Sequence, residues 1–127
     1  MSDAPLRLGI LGTARIASNF VDGLAGSTSV RIVAIASRDA ARARAFAARH
    51  GVPGAEGSYQ ELLSRDDIDA VYIPLPNALH GPWAMRAMEA GRHVLCEKPL
   101  ASNADEARAM FAAARRHGVH LAEAFPY

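Results

Sequence analysis

Two kinds of apolar run alternate along this chain, and that alternation limits the folds open to it more than any other feature. Leu6 to Leu11 is a short apolar run broken only by Arg7, after which Ile16, Phe20 and Leu24 recur every four residues. The first spacing predicts a strand and the second one face of a helix. Val30 to Ala36 is rich in β-branched residues and predicts a second strand, while Asp39 to His50, dominated by Ala and Arg, predicts a helix that Gly51 ends. Gly51 to Gly57 reads as a loop with a short edge strand around Ala55. Ser58-Tyr59-Gln60-Glu61 has capping-box spacing, so a brief helix starts there and carries Leu62 and Leu63 inward.

The pattern then repeats. Ala70 to Ile73 is a strand; Pro82 suits the first turn of a helix and Gly91 its end, with Trp83, Ala84, Ala87 and Met88 as the buried stripe. His93 to Cys96 is the next strand. Ser102-Asn103-Ala104-Asp105 caps a helix whose inner face is Ala107, Met110, Phe111 and Ala114, Gly118 ends it, and Val119 to Ala124 is the last strand. Strands that alternate with helices through short connections imply right-handed crossovers, hence an α/β fold with a doubly wound parallel sheet of the Rossmann type. With 127 residues, half of them hydrophobic, and no repeat or linker, residues 1–127 read as a single domain.

Charge and composition narrow the function classes. The net charge is +1 and the 14 basic residues are scattered, so nucleic-acid binding has no electrostatic footprint. No apolar run approaches membrane-spanning length, and Met1-Ser2-Asp3-Ala4-Pro5 lacks the blocks of a signal peptide. A cytoplasmic protein is expected, with the single Cys96 a buried, unpaired thiol. The five histidines do not share a helix face at ligand spacing, so no metal site is expected.

Gly9-Ile10-Leu11-Gly12-Thr13-Ala14-Arg15-Ile16-Ala17 follows the first strand and contains Gly12-x-Ala14-x-x-Ala17, a small-residue version of the dinucleotide fingerprint. Gly12 permits a tight turn, a small residue at 14 lets the backbone approach a pyrophosphate, and Ala17 lets the helix sit close to the strand. A plain tight turn from strand to helix has the same composition. At the end of the second strand, where an NAD site places an acid for the ribose hydroxyls, Ser37-Arg38 stand instead. A hydroxyl and a guanidinium suit a 2′-phosphate. The alternative is that Ser37 or Asp39 caps the next helix and Arg38 is solvated. Two prolines stiffen Ile73-Pro74-Leu75-Pro76-Asn77-Ala78-Leu79-His80, where Asn77 and His80 point polar groups at the sheet's carboxyl edge. Glu97-Lys98-Pro99 arrives at that same edge, and taken alone it reads equally as a solvated charge pair.

Taken in order, these segments resemble the N-terminal nucleotide-binding domain of the glucose-fructose oxidoreductase and inositol dehydrogenase family (Gfo/Idh/MocA). The carrying residues are Gly9 to Ala17, Ala36 to Asp39, Asp69 to His80, Gly91 to Leu100, and Glu123-Ala124-Phe125, nearly the whole chain. The resemblance implies a pyridine-nucleotide oxidoreductase acting on a sugar, polyol or related alcohol and carbonyl pair. Gly12, Thr13, Ala14, Arg15 and Ile16 would wrap the pyrophosphate, and Ser37 and Arg38 would meet the adenosine ribose phosphate, favouring NADP with NAD as the alternative. Leu75, Pro76, Asn77 and His80 would line the middle and nicotinamide side. Glu97 and Lys98 would face the nicotinamide and substrate, with Lys98 stabilising developing alkoxide charge. Relatives often have this proline peptide cis.

Relatives also continue into a second α/β domain that supplies a catalytic histidine, an acidic partner, most substrate contacts and the dimer interface. Without it, exposed Leu75, Leu100 and Phe125 would favour self-association into a homo-oligomer. The other function class is a non-catalytic NAD(P)-binding sensor or subunit module.

Overall fold

The computed structural model describes residues 4–124. Six parallel strands form one sheet: β1 (Leu6–Leu11), β2 (Val30–Ala36), β3 (Gly54–Glu56), β4 (Ala70–Ile73), β5 (His93–Glu97) and β6 (Leu121–Ala124). Between them run α1 (Arg15–Gly23), α2 (Ala40–His50), α3 (Tyr59–Leu63), α4 (His80–Glu89) and α5 (Ala104–His117), with a 3-10 turn, Asn77–Leu79, leading into α4. The strand order is β3-β2-β1-β4-β5-β6, so the chain winds outward from β1 to one side and, after β3, from β4 to the other. Every strand expected from the sequence is present, including the short edge strand at Ala55.

Two core layers cover the sheet. Ala17 and Val21 of α1 and Phe46 and Ala47 of α2 pack with Leu8, Ile10, Ile35, Ala70 and Tyr72. Leu62 and Leu63 of α3, Ala84, Ala87 and Met88 of α4, and Met110, Ala113 and Ala114 of α5 pack with Val71, Ile73, Val94 and Cys96. Alternate strand residues serve opposite layers, as the pleat requires. Gly9 marks a close approach: a Cβ there would stand 2.6 Å from Cδ2 of the fully buried Leu62, and the β1–β2 register shifts between Leu8 and Gly9.

Side-chain caps set the helix starts. Asp39 accepts from the backbone N–H groups of Ala41 and Arg42, Ser58 from Glu61, and Asn103 from Glu106. Such a cap is worth about 1 kcal/mol. Glu106 also accepts from the Ser102 N–H, so Ser102 and Asn103 both belong to the α5 start. Two predicted helix faces need correction. Ile16 is 43 % exposed and Ala17 takes the inward place on α1; Phe111 is 42 % exposed and Ala113 takes the inward place on α5. In both helices a small residue lets the helix sit closer to the sheet than a large one would. Trp83 lies at the margin of its layer, edge-on to Tyr59 and beneath the Arg86 guanidinium.

Two half-buried arginines tie separate parts of the fold together. Arg92 donates to the carbonyls of Leu63, Arg65 and Ile68, which holds the loop ahead of β4. Arg65 bonds Asp67 and Glu56, and its guanidinium is held charged by those carboxylates. Cys96 is fully buried; burial first, and then the carboxylates of Glu123, Glu97 and Glu106, push its thiol up to about 12.

Candidate cofactor-binding site

A cleft of about 520 Å³ opens where the carboxyl ends of β1, β2 and β4 meet. This is the topological switch point, where the connections from β1 and β4 leave in opposite directions. Gly12, Thr13 and Ala14 form one side, Ser37 to Asp39 and Arg42 a second, and Pro74, Leu75 and Pro76 a third, with Tyr59 at the base of α3.

Gly12 makes the turn with φ of +118°, a conformation closed to side chains, and its N–H donates to the Ala36 carbonyl at 2.8 Å. A Cβ at Gly12 would stand 3.1 Å from Leu75 Cδ2, so the bare backbone is what keeps this wall of the cleft open. Ala14 then opens α1 in extended conformation without any side-chain cap. The first-turn amides are therefore left for an anion, and the positive end of the helix dipole faces the same way. Arg15 and Ile16 follow in that first turn, both exposed and both outside the cleft lining.

The opposite wall carries positive charge. Ser37 is buried, and its Oγ accepts from the Asp39 N–H at 3.2 Å, which leaves the hydroxyl proton free to donate. Arg38 is exposed at the rim. Asp39, the one acid in the lining, spends its carboxylate on capping α2. Asp39 is thus the cap and Arg38 is exposed, while Ser37 and Arg38 both line the cleft. Arg42, in the first turn of α2, is a second guanidinium in the lining that sequence reasoning passed over. Its signal was the spacing of four from Arg38, hidden in a helix rich in arginine.

Asn77, Glu97 and Lys98 lie along the same carboxyl edge but outside this cleft. Glu97 ends β5. Its Oε1 accepts from the Tyr72 hydroxyl at 2.6 Å and its Oε2 from the Lys98 N–H at 3.3 Å. Burial and the Glu97 carboxylate raise the Tyr72 hydroxyl well above the ordinary phenol range, so it stays a donor. Lys98 is exposed, its peptide bond to Pro99 is cis, and among the described residues its ammonium has no polar partner.

His80 departs from expectation. It is fully buried, with Nδ1 2.7 Å from the Pro99 carbonyl and Nε2 2.6 Å from the Leu75 carbonyl. Both ring nitrogens face backbone carbonyls, so the side chain sits between the Leu75 wall and the Lys98-Pro99 turn instead of lining the cleft. Glu123 accepts from the Leu100 N–H at 2.6 Å. The expected apolar patch at this edge also fails: Leu75 and Leu100 are each only 8 % exposed because they pack into the core, and Phe125 lies outside the described residues.

Strand order, glycine turn and uncapped helix start at the switch point together define a Rossmann-type dinucleotide-binding domain. Residues 6–125 match the Gfo/Idh/MocA family, described as an oxidoreductase family with an NAD-binding Rossmann fold, and the chain belongs to it. D-xylose 1-dehydrogenase (NADP(+)) 2 of Haloferax volcanii is 51% identical over 122 residues, covering 96% of this chain and 38% of that enzyme. The Bacillus subtilis scyllo-inositol 2-dehydrogenase (NADP(+)) IolU is 44% identical over 119 residues, 94% of this chain and 36% of that enzyme. Among solved structures, KijD10, a 3-ketoreductase from Actinomadura kijaniata in complex with NADP and TDP-benzene, superposes with a TM-score of 0.88 at 46% identity, covering 94% of this chain and 37% of that one. The chain therefore spans little more than a third of the length of these relatives. No helix among the described residues is long and apolar enough to cross a membrane.

Proposed function

We propose that this chain is the cofactor-binding domain of an NADP(H)-dependent oxidoreductase acting on a sugar, polyol or related alcohol and carbonyl pair. The observation that carries the cofactor choice is the cleft wall of Ser37, Arg38 and Arg42, whose only acid is committed to a helix cap. The relatives named as NADP enzymes and the KijD10 complex with NADP support the same choice. The substrate class rests on those relatives, which act on xylose, inositol or a nucleotide-linked keto sugar. A second domain that completes the substrate pocket belongs to this proposal.

In this reading the amides of Arg15 and Ile16, beside Gly12, Thr13 and Ala14, hold the pyrophosphate, and Ser37, Arg38 and Arg42 hold the 2′-phosphate. Leu75, Pro76 and Asn77 border the middle of the cofactor. Glu97 and Lys98 face the nicotinamide end. The bound nicotinamide supplies or accepts the hydride. Lys98 donates a hydrogen bond from its ammonium to the substrate oxygen and so stabilises the negative charge that gathers there. The turn beneath it is fixed before substrate arrives, which lowers the cost of placing that donor.

Two measurements test the reading. Titration of the 127-residue chain with NADPH and NADH should give saturable binding with NADPH tighter. An absorbance assay with aldoses, polyols and dihydrodiols should give slow turnover that Lys98→Met removes. Absence of binding to either nucleotide would refute the cofactor role, and turnover unchanged in Lys98→Met would refute the role of the lysine.

A further inference from the structure

Tyr72 lies in β4 opposite Leu95 of β5, and Glu97 is two residues further along on the same face. Its ring is clamped. Phe20 of α1 stacks on it with centroids 3.9 Å apart and planes 16° from parallel, and only 1 % of the residue is exposed. From that fixed ring the hydroxyl reaches 2.6 Å to Glu97 Oε1, while the second carboxylate oxygen accepts from the Lys98 N–H. A buried phenol needs a partner, yet here the partner is a half-buried carboxylate at the ligand edge. Unheld, that carboxylate has several rotamers directed to water.

We propose that Tyr72 is a positioning residue that, through its hydroxyl, holds the Glu97 carboxylate toward the nicotinamide end of the cofactor. The inference rests on the reading of Glu97 and Lys98 as that end. It also gives α1 a second role, because the helix whose first turn faces the pyrophosphate presses, through Phe20, on the side chain that orients Glu97. The two ends of the site are then linked by one packed contact and one hydrogen bond. Tyr72→Phe keeps the stacked ring and removes only the hydroxyl, so the core stays filled while Glu97 is released.

The experiment titrates the full chain with NADPH and with adenosine 2′,5′-bisphosphate, which reaches the Ser37, Arg38 and Arg42 wall and the glycine turn but not the Glu97 end. Tyr72→Phe should weaken NADPH about tenfold, the loss of one charge-assisted hydrogen bond, and leave the bisphosphate unchanged. Glu97→Ala should weaken NADPH by a similar factor, and adding Tyr72→Phe to Glu97→Ala should change nothing further. Equal weakening of both ligands by Tyr72→Phe would mean a role in the fold alone and would overturn the proposal. So would an undiminished Tyr72→Phe effect in the Glu97→Ala background, or no Tyr72→Phe effect where Glu97→Ala has one. If Glu97→Ala leaves NADPH affinity at the wild-type value while the bisphosphate still binds, the nicotinamide-end reading falls and takes this inference with it. If neither ligand binds the wild-type chain, the cofactor site itself is wrong.

Discussion

Replacing Arg38 and Arg42 by alanine, singly and together, isolates what the second wall of the cleft contributes to cofactor choice. Both guanidinia are exposed, so the low end of the range for a charge-assisted hydrogen bond applies, about 1.5 kcal/mol each. Coulomb's law agrees: a unit charge about 4 Å from a doubly charged phosphate in water is worth about 2 kcal/mol. Each single variant should therefore bind NADPH about tenfold more weakly. The double variant should lose less than the product of the two, because both side chains share one phosphate. NADH lacks that phosphate and should bind all four proteins alike.

Isothermal titration with both nucleotides at about 0.05 M and 0.5 M salt reads the ratio directly. The wild-type preference should shrink at high salt, where screening cuts exposed charge interactions, and the double variant should show little salt dependence. Asp39 serves as an internal control. Its carboxylate caps α2, so Asp39→Ala should cost about 1 kcal/mol of fold stability and change the NADPH to NADH ratio little. A wild-type ratio near one, or a ratio that survives loss of both arginines, would refute the assignment of this wall to a 2′-phosphate.

Other parts of the structure give sharper tests of the fold. Ala14→Leu places a branched side chain at the uncapped start of α1 and should abolish nucleotide binding while far-ultraviolet circular dichroism stays near wild type; retained binding would make the turn only a turn. Cys96, its thiol pushed up to about 12 and fully buried, should resist iodoacetamide at pH 8 until the protein unfolds, as mass spectrometry across a urea series would reveal. The hydrogen bonds from Arg7 hold the Asp69 carboxyl below its ordinary range. That stability is present above the unfolded value near pH 4 and is lost as pH falls through the depressed folded value. Asp69→Asn should thus be less stable at pH 7, by about 1 kcal/mol or less for so exposed a pair, with the gap closing in acid; parallel pH curves would contradict this. His80→Ala should destabilise by about 2–4 kcal/mol because it empties a fully buried site and removes the ring that faces the buried Leu75 carbonyl, whereas Lys98→Met should fall within about 0.5 kcal/mol of wild type in urea.

The elements were legible because most strands are short and mainly apolar and α2 and α5 carry both a side-chain cap and a glycine stop, all encoded within a few residues. Helix facing was less so. On α1 and α5 the apolar rows at Ile16 and Phe111 looked stronger than the neighbouring alanines, yet Ala17 and Ala113 face the sheet. Hydropathy weighs a large side chain above a small one, while close helix-to-sheet packing selects the small one. In the site, Gly12, Ala14, Ser37 and Arg38 belong to local turns whose chemistry can be read in place. The partners of His80 and Glu123 cannot be read that way: Pro99 is 19 residues from His80, and Leu100 is 23 from Glu123. Tyr72 was hidden for the same reason, since nothing in Ala70 to Ile73 announces a carboxylate 25 residues on.

These long-range contacts give the two ends of the edge different physical characters. At the cleft, guanidinia on the rim and uncapped amides offer many donors to an anion, an arrangement that yields affinity and tolerates some freedom of placement. Around Lys98 the turn is held at three points: the Glu97 side chain by Tyr72, the Pro99 carbonyl against His80, and the Leu100 N–H by Glu123. Only the lysine side chain is left to order, at a cost of up to about 2 kcal/mol of rotamer entropy. In the role proposed for Lys98, a charge that meets a developing alkoxide needs placement more than affinity, because only interactions stronger in the transition state than in the ground state speed a reaction. The pinned turn meets that requirement, and the three residues that pin it come from β4, α4 and β6, so the position of Lys98 depends on the assembled sheet and not on its own short motif.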